Sequence, residues 1–195
     1  MRTESSRQVY ANPWMTVRED AIRRADGSNG IYGVVDKPDY ALIIPLETGE
    51  ISGTAGVARL QLVEQYRYPL GTRRWEFPQG TAPDLAELDG LELAARELRE
   101  ETGLRAERLV ELGSLDVAPG LSSQRGRAFL ATGLTPGEHE REHEEQDMRS
   151  AWFSREALER MIRRGEVADA QSVAAYTLLL LHERAETEAN QCGGA

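Results

Sequence analysis

The sequence predicts a mixed fold, of the α+β or α/β class, with a small β-unit at its N-terminus. Three observations carry this. Short strand-like runs separated by turns fill residues 14–80. The apolar spacing then changes to a helical one over residues 85–102. Strands resume after Gly103, and two capped helices close the chain. Strands on both sides of a central helix, with helices at the end, define that class.

In chain order, Trp14–Ile22 alternates apolar and polar residues, as a half-buried strand does. Asp26-Gly27-Ser28-Asn29-Gly30 is a turn, and Ile31–Val35 is the second strand. Lys37-Pro38-Asp39 ends this unit. Tyr40–Pro45 is a continuous apolar run, the mark of a strand buried on both faces. Val57–Tyr66 is a further strand, Pro69–Thr72 a turn, and Trp75–Gly80 a short strand halted by Pro78 and Gly80. Leu88, Leu91, Ala94, Ala95 and Leu98 recur at helical spacing, with Leu91, Ala95 and Leu98 as the expected anchors. Gly103 stands where a helix C-terminal glycine belongs. Leu109–Asp116, Arg127–Leu134 and Ala151–Phe153 read as strands. Ser154 caps a helix running to Arg164, and Asp169 caps one running from Ala170 to Arg184.

At 195 residues and 40% hydrophobic content, the chain suits one globular domain with an appendage. The expected divisions are a β-unit over 1–38, a main domain over 39–187 and a disordered tail over 188–195. Lys plus Arg is 23 and Asp plus Glu is 33, a net charge of −10. That balance disfavours long nucleic acid and anionic membrane surfaces, which need clustered basic side chains. The lone cysteine, Cys192, allows no intrachain disulfide and no cysteine-based zinc site. The N-terminus lacks an apolar signal core, and the longest apolar run, Tyr176–Leu181, is short of a membrane span. The expected location is the cytoplasm.

The informative stretch is Arg96-Glu97-Leu98-Arg99-Glu100-Glu101-Thr102-Gly103-Leu104. At ~100° per residue, Glu97, Glu100 and Glu101 project from one helical face within about one turn. Like charges three and four residues apart cost a helix a few tenths of a kcal/mol each. An oxygen-seeking divalent cation removes that repulsion and binds through a few carboxylates plus substrate phosphates. Arg96 is four residues before Glu100 and can orient it. The plain alternative is a solvated, helix-favouring acidic face.

RELREETGL resembles the core of the Nudix box, Arg-Glu-apolar-any-Glu-Glu-any-Gly-apolar, at every defined position. Gly80 stands sixteen residues before Arg96, two more than the family pattern. A two-residue insertion between Pro83 and Gly90 accounts for this and makes Glu87 the candidate for the upstream box Glu. The likeness continues in Glu64-Gln65-Tyr66-Arg67-Tyr68-Pro69, in Trp75-Glu76-Phe77-Pro78-Gln79-Gly80, in Ala118-Pro119-Gly120 and in Gly165–Ala170. These segments resemble the branch that cleaves ADP-ribose and nucleoside-diphosphate sugars.

The resemblance implies an α+β fold, an α/β/α sandwich, with Mg²⁺ or Mn²⁺ held by Glu97, Glu100, Glu101 and the backbone carbonyl near Gln79 or Gly80. It implies substrate contacts at Arg67 and Glu76, and offers stacking of Trp14 on a nucleobase, against which stands the commoner core or interface role of a Trp in an alternating strand. It also implies a homodimer in which residues 1–36 serve as the dimerisation element. The branch's general base is a Glu before a late strand. Gln146 holds that register here, so the candidates are Glu145 and Glu144, or failing them a box acid such as Glu100. Gln124 likewise replaces an acid that commonly follows the Pro-Gly. The implied reaction is cleavage of a nucleoside diphosphate linked to another moiety. The alternatives are a dinucleoside polyphosphate substrate, which the Pro-Gln-Gly of this chain suits, and a nucleotide-binding sensor that does not hydrolyse.

Of the remaining candidates, the six acids from Glu138 to Asp147 read as a solvated loop, with His139 and His143 on its surface. Arg73-Arg74 reads either as a pair that attracts phosphates or as a solubilising hairpin turn, with the turn favoured.

Overall fold

The computed structural model of the chain describes residues 1–49, 58–81, 89–138 and 147–192. Strands β1 (Arg2–Asn12), β2 (Met15–Arg23) and β3 (Asn29–Asp36) form an antiparallel three-stranded sheet in that order. Asn12 Oδ1 accepts the N–H groups of Trp14 and Met15, at 2.9 and 2.8 Å, and turns β1 into β2. Gly27, at φ 83°, and Asp26, whose Oδ1 accepts the Ser28 N–H, make the next turn. Only Asp20 and Ile22 of this sheet are buried. Among the described residues, hydrogen bonds from β3 tie it to the body. Val35 N–H donates to Leu121 O at 2.9 Å, and the Tyr32 hydroxyl donates to Gly120 O at 2.9 Å.

The main sheet contains β4 (Tyr40–Glu47), β5 (Arg59–Arg67), β6 (Thr72–Glu76), β7 (Gln79–Gly80), β8 (Leu104–Asp116), β9 (Arg125–Pro136) and β10 (Arg149–Ser154). Its order is β10-β5-β4-β9-β8, with β6 paired to β5 and β7 to β4. β4 and β9 are parallel and central, and the other pairings are antiparallel. The expected strand over Trp75–Gly80 is divided, because Pro78 cannot donate to a ladder. Phe77 N–H turns away to Ser172 Oγ, at 2.9 Å.

Helices cover both faces. α1 (Gly90–Thr102) packs Leu93, Ala94 and Leu98 on Ala41, Ile43, Phe129 and Ala131. α2 (Arg155–Arg164) and α3 (Ala170–Cys192) pack Leu158, Met161, Ala175 and Leu179 on Leu42, Ile44, Leu60 and Leu62 of the other face. The fold is therefore the expected α+β sandwich with a small N-terminal antiparallel sheet. β4 needs no polar alternation, since its side chains enter one core or the other. Gly103 (φ 72°) ends α1, Ser154 Oγ accepts the Ala157 N–H at the start of α2, and Asp169 Oδ2 accepts the Ser172 N–H at the start of α3. α3 continues past Arg184, so residues 188–192, expected within a tail, are helical. No described helix is long and apolar enough to cross a membrane.

Candidate active site

The last two turns of α1 meet the short strand β7. The buried stripe of α1 is Gly90, Leu93, Ala94, Glu97, Leu98, Glu101 and Thr102, at steps of three and four residues. It corrects the expected anchors: Leu91 and Ala95 are exposed, and Leu93 and Ala94 take their place beside Leu98. The stripe runs through two carboxylates, and Glu97 and Glu101 are 5% and 1% exposed. A solvated acidic face does not have this burial. A carboxylate is taken out of water only where it is hydrogen-bonded, paired or bound to a cation.

β7 closes on these acids. Gln79 N–H donates to Glu101 Oε2 at 3.0 Å. A Cβ on Gly80 would stand 2.3 Å from Glu97 Oε2, so only glycine lets the Glu97 carboxylate lie against this backbone. Glu100 turns to Arg96, whose Nε donates to its Oε1 at 2.7 Å, as the i,i+4 spacing predicts. Among the described residues, no three His, Cys, Asp or Glu side chains converge tightly enough to grip an ion as they stand. The chemistry of the set still fits a hard divalent ion: carboxylate oxygens one turn apart, with the backbone of residues 79–80 brought against them.

A second acid lies at the end of β6. Glu76 is 2% exposed and is clamped by Arg67 through Nη2–Oε1 at 2.5 Å and Nε–Oε2 at 3.2 Å. Gln65 Nε2 adds a bond at 2.6 Å. Burial pushes the Glu76 carboxyl up to about 7, against the downward pull of the Arg67 charge and its hydrogen bond. Arg67 and Glu76 line a cavity of about 190 Å³ with Leu70, Arg74 and Asp169.

A neighbouring cavity of about 210 Å³ lies between Lys37, Tyr40, Gln79, Gly80, Gln124 and Asp169. Asp169 borders both cavities. Its Oδ2 accepts from Gln79 Nε2 at 3.1 Å, and from the Ser172 N–H and hydroxyl at 2.8 and 2.7 Å. The sequence marks Asp169 only as a helix cap. Its place in the Gly165–Ala170 segment is the signal that points further. Gln124 is buried, and its Nε2 donates to Pro38 O at 2.7 Å, a bond the acid it replaces cannot make. Tyr40 is also buried, with no partner for its hydroxyl among the described residues, an arrangement that costs about 1–3 kcal/mol.

Trp14 sits on the β1–β2 turn, 55% exposed, and lines neither cavity. Glu144 and Glu145 lie outside the described residues, as do Glu87, Gln146, His139 and His143. Arg73 departs from the solubilising turn expected of it. Its guanidinium bonds Glu64 Oε2 at 3.0 Å and Asp147 Oδ2 at 2.6 Å, joining β6 to the residues that lead into β10.

A model of the nucleoside diphosphate sugar hydrolase N-terminal domain matches residues 1–35. This is the sheet β1–β3. An ADP-ribose pyrophosphatase of Mycobacterium tuberculosis is 34% identical over 173 residues, 88% of this chain and 79% of that protein. An ADP-ribose pyrophosphatase of Bacillus subtilis is 29% identical over 188 residues, 96% of each. Among solved structures, an ADP compounds hydrolase superposes with a TM-score of 0.75 at 19% identity, covering 96% of this chain and 95% of that one, which establishes a shared fold. The NUDIX domain model matches residues 51–176, well over half the chain and the whole of the α1–β7 junction, and the chain therefore belongs to the Nudix family.

Proposed function

We propose that this protein hydrolyses the diphosphate of ADP-ribose or a nucleotide sugar, with Mg²⁺ or Mn²⁺ as cofactor. In the coarser terms of its family and relatives, it is a hydrolase acting on the pyrophosphate bond of a nucleoside diphosphate joined to a second moiety. The observation that carries the finer reading is the burial of Glu97 and Glu101 against the Gln79–Gly80 backbone.

In this reading Glu97, Glu100, Glu101 and the Gly80 carbonyl hold the cation, and Arg96 keeps Glu100 oriented. A divalent ion bound there neutralises the diphosphate and polarises its phosphorus–oxygen bonds. Glu145 or Glu144, or failing them Glu100, takes a proton from the attacking water. The water oxygen bonds to phosphorus and the bridging phosphorus–oxygen bond breaks, so ADP-ribose yields AMP and ribose 5-phosphate. Arg67, fixed by Glu76, offers its guanidinium to the substrate, and Trp14 offers a face for the base. Val9, Tyr10, Trp14, Ile31 and Tyr32 are exposed on the N-terminal sheet, which supports a homodimer formed through it. The proposed location is the cytoplasm.

The test is turnover of ADP-ribose and sugar nucleotides with each metal, read as AMP released. Glu100→Gln and Glu101→Gln should each lower kcat by more than the roughly 10- to 100-fold that loss of a supporting partner costs. Both variants should retain the wild-type circular dichroism spectrum. Retained turnover in both variants refutes the metal assignment.

A further inference from the structure

The first turn of α3 grips the strand that closes on the α1 acids, although it supplies no ligand to them. Pro78 interrupts the strand between β6 and β7, and the groups around the break are fastened to three different elements. Phe77 is fully buried, and its N–H donates to Ser172 Oγ of α3 at 2.9 Å. Pro78 O accepts the Ile43 N–H of β4 at 2.9 Å. Gln79 is held at both ends. Its N–H donates to Glu101 Oε2 of α1 at 3.0 Å, and its side-chain Nε2 donates to Asp169 Oδ2 at 3.1 Å. One residue thus links Asp169 to Glu101.

Capping of α3 explains only part of this. The cap is the bond from the Ser172 N–H to Asp169 Oδ2, at 2.8 Å, and any residue at 172 other than proline has that N–H. The same oxygen also accepts the Ser172 hydroxyl at 2.7 Å and the Gln79 amide, and neither bond is needed to start a helix. Ser172 is 1% exposed, and its hydroxyl accepts from Phe77 while donating to Asp169. The two additional bonds therefore serve the strand break.

The break is where direction matters. The Gln79 peptide presents its N–H to Glu101, and Gly80 follows it, paired with Ala41 of β4 and lying against Glu97. The N–H engages one oxygen of Glu101 and so fixes how the carboxylate presents its remaining acceptor positions. Groups that orient a ligating carboxylate change metal affinity or activity by about 10- to 100-fold when removed.

We propose that Asp169 and Ser172 are positioning residues for the cation site. Acting through Phe77 and Gln79, they hold the Gln79 N–H on Glu101 and the Gly80 backbone against Glu97. The proposal rests on the cation assignment in the pyrophosphatase reading and extends the site to α3.

The experiment titrates Mn²⁺ into the metal-free protein without nucleotide, with free Mn²⁺ followed by electron paramagnetic resonance. Gln79→Met cuts the side-chain link and keeps both the cap of α3 and the N–H at position 79. Ser172→Ala removes the acceptor for Phe77 and keeps the backbone cap. The Kd for Mn²⁺ should rise about tenfold in each variant. The Mn²⁺ concentration that half-activates ADP-ribose turnover should rise by a similar factor. Thermal unfolding of metal-free Gln79→Met should stay near wild type, whereas Ser172→Ala should unfold earlier because a buried N–H is orphaned. A merely structural role would lower the unfolding temperature of Ser172→Ala and leave the Mn²⁺ affinity of both variants unmoved. An unchanged Kd in Gln79→Met overturns the proposal even if Ser172→Ala does not fold, and so does a wild-type protein that binds no Mn²⁺. If no nucleotide is hydrolysed but Mn²⁺ affinity still falls in the variants, the pyrophosphatase reading fails and the positioning role stands. If ADP-ribose is hydrolysed and neither Mn²⁺ measurement moves, that reading stands and the positioning role fails.

Discussion

Glu76 and Glu101 are both buried glutamates, 2% and 1% exposed, and the chain holds them in different ways. Glu76 meets a guanidinium in a two-pronged grip from Arg67 across the β5–β6 pairing. Glu101 accepts a backbone N–H from Gln79 and stands on a helix that also carries Glu97 and Glu100. The first arrangement matches a negative charge with a positive one and fixes the arginine at a cavity wall. The second sets three carboxylates on one helix, two of them beside the Gln79–Gly80 backbone, a set of oxygen donors that a hard divalent cation fits. Burial alone does not separate a structural acid from a ligating one. The partner that each is built to meet does.

The contrast breaks most sharply at Arg67. Arg67→Ala leaves Glu76 buried without its guanidinium. Breaking a buried pair costs about 3–5 kcal/mol, and the partial exposure of Arg67 puts this one near the lower end, about 3 kcal/mol at pH 8. Urea unfolding measures it. A loss under about 1 kcal/mol would mean that Glu76 is held by Gln65 and its surroundings instead. A smaller effect is expected at Gly80. Gly80→Ala places a methyl group on Glu97 Oε2, and the acid must move. Turnover should fall roughly tenfold, the low end of what loss of a supporting partner costs, because Glu97 is shifted and not removed, with little change in the unfolding midpoint. A variant as active as wild type would show that Glu97 need not lie against this strand.

The two acids also differ in how far the sequence exposes them. β4 is legible because strands buried on both faces read as unbroken apolar runs. β1 is not, because all but the last of its eleven residues are exposed and no face imposes a period. The carboxylates of α1 are legible as a motif, yet spacing alone sets the helix anchors at Leu91 and Ala95. The true buried stripe includes Glu97 and Glu101, and a reading that puts charges outside rotates the helix accordingly. Arg67 and Glu76 can each be picked out along the chain, but their mutual grip depends on the β5–β6 register. Tyr40 gives least warning, since an aromatic at the head of an apolar strand reads as core. What sets it apart is a hydroxyl with no partner among the described residues, which is a property of the assembled walls. The cap at Asp169 is readable from its spacing to Ser172. Its place between two cavities requires that α3 begin beside β7, a long-range fact.

The smallest expected effect is a pH dependence, and it isolates Glu76. The carboxyl titrates at about 7 in the folded protein, raised from an ordinary 4.5. Folding therefore favours the protonated form, and the group's contribution to stability is complete below about pH 4.5. It is lost as pH rises through about 7, because the folded protein must then ionise a buried acid that the unfolded chain ionises freely. Where the folded state holds one proton more than the unfolded chain, stability falls by at most about 1.4 kcal/mol for each step of 1 in pH. Other acids titrate nearby, and the useful quantity is the difference between wild type and Glu76→Gln. The amide keeps the shape and carries no charge, so the variant should gain about 1 kcal/mol relative to wild type between about pH 6 and pH 7, and nothing further above about pH 8. Unfolding by urea across this pH range measures this. A difference that stays flat with pH would mean that Arg67 holds Glu76 ionised throughout, and the two buried acids would then differ less in charge state than in the partners that surround them.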